Sequence, residues 1–100
     1  MGNEVIVVTR HPALVELLKE MNIINDEVQV VTHVSDPETI KDKIVIGVLP
    51  LHLASLAEEV WTINLDLKPE DRGKELTLEE LREKFAGIER FKVESLGRLA

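Results

Sequence analysis

Short uninterrupted apolar runs alternate along this chain with segments whose apolar residues recur at helical spacing. Val5-Ile6-Val7-Val8 is such a run and predicts a strand over 4–8 covered on both faces, as in a parallel sheet. Pro12 then suits a first helical turn, and Leu14, Leu17, Leu18 and Met21 fall at the i, i+3, i+4, i+7 spacing of one buried face. After a turn over 22–27, residues 28–34 mix Val28 and Val30 with Gln29 and Thr32, which predicts a second, less buried strand at an edge. Ser35-Asp36-Pro37-Glu38 is a helix-start signature with a capping side chain before proline, followed by only a turn or two. Residues 43–48 form the third predicted strand, and Gly47 inside it marks a place where backbone or ligand approaches closely. Leu53, Leu56, Ala57 and Val60 predict the apolar face of a second helix, with His52, Ser55 and Glu59 on the other. Residues 61–67 alternate as a fourth strand, and 68–75 make a polar loop containing Pro69 and Gly73. Thr77-Leu78-Glu79-Glu80 reads as a capping box, with Leu76 and Leu81 as its hydrophobic staple. Leu78, Leu81, Phe85 and Ile88 give the third helix a buried stripe, and a fifth strand is placed at 91–94.

This alternation predicts an α/β fold: a small doubly wound, Rossmann-like sheet of four to five mainly parallel strands flanked by three helices, in one domain over 1–100. Right-handed crossovers leave few other arrangements. If the strand order begins 2-1-3, a crevice opens beyond the ends of strands one and three, where connections leave for opposite faces.

Two tetrapeptides occupy that position. Thr9-Arg10-His11-Pro12 follows the first strand, and Leu49-Pro50-Leu51-His52 follows the third. A guanidinium, two imidazoles, a hydroxyl and two helix N-termini converging there describe a site for an anion, above all a phosphate. Arg10 suits phosphate clamping because its planar fork matches two oxygens. Thr9 and the N-terminal amides of helices one and two are further donors, and Pro50, Leu51 and Ser35 join the predicted ligand-binding set. Each assignment has a plainer counterpart: His11 bonding backbone at a helix start, His52 as a solvated surface histidine, Asp66 capping the next turn rather than orienting a histidine. His33 reads as structural. His11, His52, His33 and Asp66 lack the HxH or HExxH spacing of a zinc site, so no metal is expected. Glycine-rich dinucleotide fingerprints and the GxxxxGK[ST] loop are absent, and strands one and three end without the acids of a phosphoacceptor.

Composition narrows the partners. The chain has 100 residues, 44% of them apolar, enough for one modest core, so a large ligand calls for a second subunit. A net charge of −7 argues against binding long DNA or RNA, whose affinity rests on many neutralised phosphates. A compact anion held by a few donors remains compatible. There is no cysteine, hence neither disulfide nor thiolate site. No basic segment followed by an apolar stretch opens the chain, and no apolar run reaches membrane length, so a cytoplasmic protein is expected.

Val8-Thr9-Arg10-His11-Pro12, Val45-Ile46-Gly47 followed by Leu49-Pro50, His52-Leu53-Ala54, Leu65-Asp66-Leu67 and Arg72-Gly73-Lys74-Glu75-Leu76 occur in that order over roughly residues 5 to 78. Together they resemble a small CRISPR-associated accessory family of type III systems. Its members are Rossmann-like, related in fold to CARF sensors, and regarded as ring nucleases that degrade cyclic oligoadenylate. The resemblance implies a metal-independent phosphodiesterase acting on cyclic oligoadenylate, with cyclic tetra-adenylate the expected ring. Arg10 would clamp phosphate, and His11 and His52 would serve as acid and base. Arg72 and Lys74, otherwise a solvated charged loop, would close over a phosphate or an adenine. A two-fold ring is best gripped by two copies of the crevice, which predicts a homodimer. The competing expectation is a sensor or sponge that holds the ring uncut; a subunit of a larger assembly with a vestigial crevice is a third.

Overall fold

A computed structural model describes residues 4–71 and 73–100 of the chain. In chain order the elements are β1 (Val5–Val8), α1 (Pro12–Glu20), β2 (Gln29–Val31), a 3-10 turn (Pro37–Thr39), β3 (Ile44–Gly47), α2 (Leu51–Ala54), β4 (Glu59–Leu65), a second 3-10 turn (Pro69–Asp71), α3 (Leu78–Lys84) and β5 (Phe85–Phe91). The sheet order is β2-β1-β3-β4-β5. All pairs are parallel except β4 with β5. The expected 2-1-3 start is therefore present, and the architecture is a small Rossmann-like α/β sheet.

Alternation along the central strands divides the core into two layers. Ile6, Val8 and Val45 pack on one face with Ile40, Ala54 and Ala57. Val7 and Ile46 pack on the other with Leu18 and Ile24. Ile6, Val7, Leu18, Ile40, Val45 and Ile46 are at most 1% exposed. Each such side chain contributes roughly 1.5–3 kcal/mol of transfer free energy. Helix α1 thus covers one face and α2 the opposite one, the divergence that opens a crevice between β1 and β3.

Gly47 seals the strand pair below that crevice. Its φ is +148°, and a Cβ there would stand 2.3 Å from the Val8 carbonyl oxygen. The close approach read from the sequence is of backbone on backbone.

Several boundaries differ from the sequence expectation. The second strand spans only Gln29–Val31 rather than 28–34, leaving Val30 42% exposed. A short edge strand offers little unpaired backbone for unwanted pairing. The second helix stops at Ala54, and Glu59 and Val60 belong to β4. There the Asp42 amide donates to the Leu56 carbonyl (3.0 Å) and the Glu58 amide to the Lys43 carbonyl (2.8 Å), so the turn is drawn onto the start of β3. The third helix ends at Lys84, and Phe85 enters β5 with φ −62° and ψ 124°. The fifth strand is thus Phe85–Phe91, antiparallel to β4, in place of 91–94. By contrast the capping box at Thr77 and Glu80 is formed as expected. Asp36 also caps its turn, accepting from the Glu38 amide at 3.0 Å.

Candidate functional site

Because β2, β1, β3 and β4 run parallel, their C-terminal ends lie at one end of the sheet. Val8 pairs with Gly47, so Thr9 and Val48 leave from adjacent positions. The two tetrapeptide corners therefore begin side by side. They then part: the first leads into α1 on one face, the second into α2 on the other.

The first corner opens onto a cavity of about 530 Å³ between α1, the end of β4 and the segment preceding α3. That volume lies within the ordinary range for small-molecule sites. Leu14, Leu65, Leu67, Leu76 and Leu81 make its apolar lining, while Arg10, His11, Asp71, Lys74 and Glu75 supply polar groups. The predicted staple residues, Leu76 and Leu81, are thus part of the cavity. Helix α1 begins after His11, the N-cap residue, whose side chain makes no capping bond. The His11 amide instead donates to Thr9 Oγ1 at 3.2 Å, a local turn that fixes the backbone and leaves the Thr9 hydroxyl hydrogen available. The plainer reading of His11, an imidazole spent on backbone capping, does not apply.

Arg10 is exposed and makes no ion pair or hydrogen bond among the described residues. Arg82 and Arg90, in contrast, are engaged with Glu20 and Glu59. Lys74 is at the cavity but its ammonium lies 3.0 Å from Glu80, and that contact holds the Glu80 carboxyl below its usual range. A phosphate placed there would meet in Arg10 a cation with no carboxylate among the described residues to displace.

Asp71 is the buried charge of the cavity, 7% exposed. Its Oδ2 accepts from Lys84 Nζ at 2.6 Å and from the Lys68 amide at 3.0 Å. These donors, Lys84 foremost, hold its carboxyl below the ordinary aspartate value, and the same pair raises the Lys84 ammonium. The loop before α3 is thereby tied to the end of that helix. Nothing in the sequence marked Asp71: a carboxylate in Pro69-Glu70-Asp71 reads as one more solvated charge, and its partner is thirteen residues away. Glu75 and the leucine lining likewise carry no site signal in the sequence.

The second corner is built differently. Pro50, Leu51 and His52 are exposed and do not line the cavity. Val48 and Leu51 are 82% and 76% exposed. The Leu53 and Ala54 amides donate to the Pro50 carbonyl at 3.0 and 2.9 Å, so those amides of the short second helix are not open to a phosphate as expected. At the first helix Pro12 has no N–H, and the Leu14 amide is bonded to the His11 carbonyl at 3.1 Å. The amide contribution is accordingly smaller than the sequence suggests. Ser35 and Asp66 are exposed at the same end of the sheet and outside the cavity lining, the Asp66 amide donating to the Lys84 carbonyl at 2.7 Å. His33 follows β2 rather than lying within it, with Nδ1 3.4 Å from Thr32 Oγ1. Arg72 lies outside the described residues. Among the described residues no group of three His, Asp or Glu side chains is arranged to hold a metal ion, and no helix is long and apolar enough to cross a membrane.

Residues 6–94 match the family model described as "putative CRISPR-associated protein (Cas_VVA1548)", and the chain belongs to that family. No curated protein and no solved structure matches the chain.

Proposed function

We propose that this CRISPR-associated protein is a cytoplasmic ring nuclease of a type III system, cleaving cyclic oligoadenylate, with cyclic tetra-adenylate as the preferred ring. The observation that carries the reading is Arg10, a guanidinium with no ion-pair partner among the described residues, beside an imidazole at the rim of a nucleotide-sized, leucine-lined cavity. The phosphate of one ribose-phosphate link lies against Arg10 and the Thr9 hydroxyl. The ribose 2′-oxygen attacks the adjacent phosphorus in line with the departing 5′-oxygen. The O2′–P bond forms and the P–O5′ bond breaks, leaving a linear product ending in a 2′,3′-cyclic phosphate. His11 takes the proton from the 2′-hydroxyl or returns one to the 5′-oxygen, and Arg10 stabilises the charge that builds on the phosphorane. The step consumes no water and requires no metal. His52, one strand across the crest and outside the cavity lining, is a secondary proton donor or acceptor, reached only by a ligand that arches over both corners.

A ring with two-fold symmetry extends past one cavity, and a homodimer with the ring on its axis would present two copies of Arg10 and His11. Val48 and Leu51, apolar and exposed beside the site, are the residues such an interface would cover. Labelled cyclic tetra-adenylate incubated with the protein in EDTA, followed by mass analysis, tests the reading. Linear products with 2′,3′-cyclic phosphate ends are expected. A ring recovered intact in complex with the protein would replace cleavage by a non-catalytic binding role. That second reading is favoured by one observation: of the two candidate imidazoles only His11 lines the cavity.

A further inference from the structure

Asp71 combines three properties rarely found together in an exposed loop. Its side chain is only 6% exposed, it lines the cavity, and its two oxygens are unequally used. Oδ2 receives both the Lys84 ammonium and the Lys68 amide. No described residue donates to Oδ1. No buried side-chain oxygen among the described residues lacks a partner, so Oδ1 keeps an open surface, and because Asp71 lines the cavity that surface is available to a ligand donor. The apolar part of the lining is five leucines, suited to the face of a flat aromatic ring, while the charged groups of the lining suit the phosphate beside it.

Resting on the function proposed above, we infer that this cavity is a nucleobase subsite in which Asp71 Oδ1 accepts a hydrogen bond from the 6-amino group of adenine, making Asp71 a specificity-determining residue. Arg10 at the rim holds the phosphate of the same nucleotide, so one residue reads the base and another the backbone. With Oδ2 already occupied, the carboxylate offers a single acceptor. It matches the lone exocyclic donor of adenine and cannot form the two-point pairing a free carboxylate makes with adjacent guanine donors. Lys84 is a positioning residue: it fixes the carboxylate and keeps it ionised, so that the acceptor is always presented.

The test changes the ligand before the protein. Binding of cyclic tetra-adenylate is compared by calorimetry with the same ring carrying purine bases that lack the 6-amino group. The intact protein is expected to bind the adenine ring roughly 10- to 100-fold more tightly, the range for a lost hydrogen bond to a charged acceptor. The double variant Asp71→Leu/Lys84→Met removes the pair together and leaves no unpaired buried charge. It is expected to bind both rings alike. Equal binding of the two rings by the intact protein would overturn the role of Asp71 while leaving the ring-nuclease reading in place. Failure to bind either ring would overturn both.

Discussion

The two corners at the head of the sheet make an instructive pair. Each follows a central strand, each carries a proline and a histidine, and they start from hydrogen-bonded neighbours. Yet the Thr9–His11 corner is roofed by Asp71 and residues 73–76 and faces a cavity, whereas the Pro50–His52 corner is open to solvent. Strand ends in a parallel sheet supply proximity; a covering segment supplies a concave, partly dry surface. That surface is what gives a charge or an imidazole its leverage. Arg10 and His11, though exposed, stand at its rim. His52 does not within one copy of the chain.

The contrast is sharpest in turnover. His11→Ala is expected to slow ring cleavage by roughly 10²–10⁴ while leaving affinity near its starting value, the pattern of a lost proton transfer. In a single-turnover assay His52→Ala is expected to cost less than about tenfold. Equal losses would break the comparison and place both imidazoles on one ligand. Gly47→Ala tests what holds the corners together. Its Cβ would collide with the Val8 carbonyl at 2.3 Å. A destabilisation of about 3 kcal/mol, at the upper end of overpacking costs, is expected in urea melts. Arg10→Ala is expected to weaken ring binding by about 1.5–3 kcal/mol in calorimetry with no loss of melting temperature, since among the described residues the guanidinium makes no hydrogen bond or ion pair. An unchanged affinity would remove the first corner's claim on the phosphate.

The smallest effect lies at the other end of the sheet. Glu59, at the start of β4, receives bonds from Arg90 and from Trp61 Nε1, and its carboxyl is lowered to about 2. Its folded value is below the ordinary 4.5, so its contribution is fully present above pH 4.5 and is lost as pH falls toward 2. Glu59→Gln should flatten the acid side of the stability profile in that window. Asp71 is lowered as well, so an acid loss confined to the Glu59 end would separate the scaffold from the site.

Much of this was written into local patterns. The apolar run at Val5–Val8, the glycine at 47 and the capping box at Thr77 each depend on neighbours a few residues away, and the fold follows them. The misplaced boundaries share a cause. Leu53, Leu56, Ala57 and Val60 have helical spacing, but backbone bonds to Lys43 and Asp42 pull the chain out of the helix. Likewise Leu78, Leu81, Phe85 and Ile88 keep a helical period across a junction where pairing with β4 takes over. At the site, Arg10, His11 and Lys74 were legible because charged groups just after strands or in long loops have few structural uses. Asp71 was not, because burial of a loop carboxylate is set by a lysine at the far end of α3.

The last turn of α3 grips two parts of the molecule at once. Arg82 reaches Glu20 at the end of α1, with Nε at 2.9 Å, while Lys84 reaches back to Asp71. Between them the helix works as a clasp that fastens the roof segment to the wall opposite. Tightening of the clasp by an occupant should be felt well away from it, in slower amide exchange along β5, which starts at the very next residue.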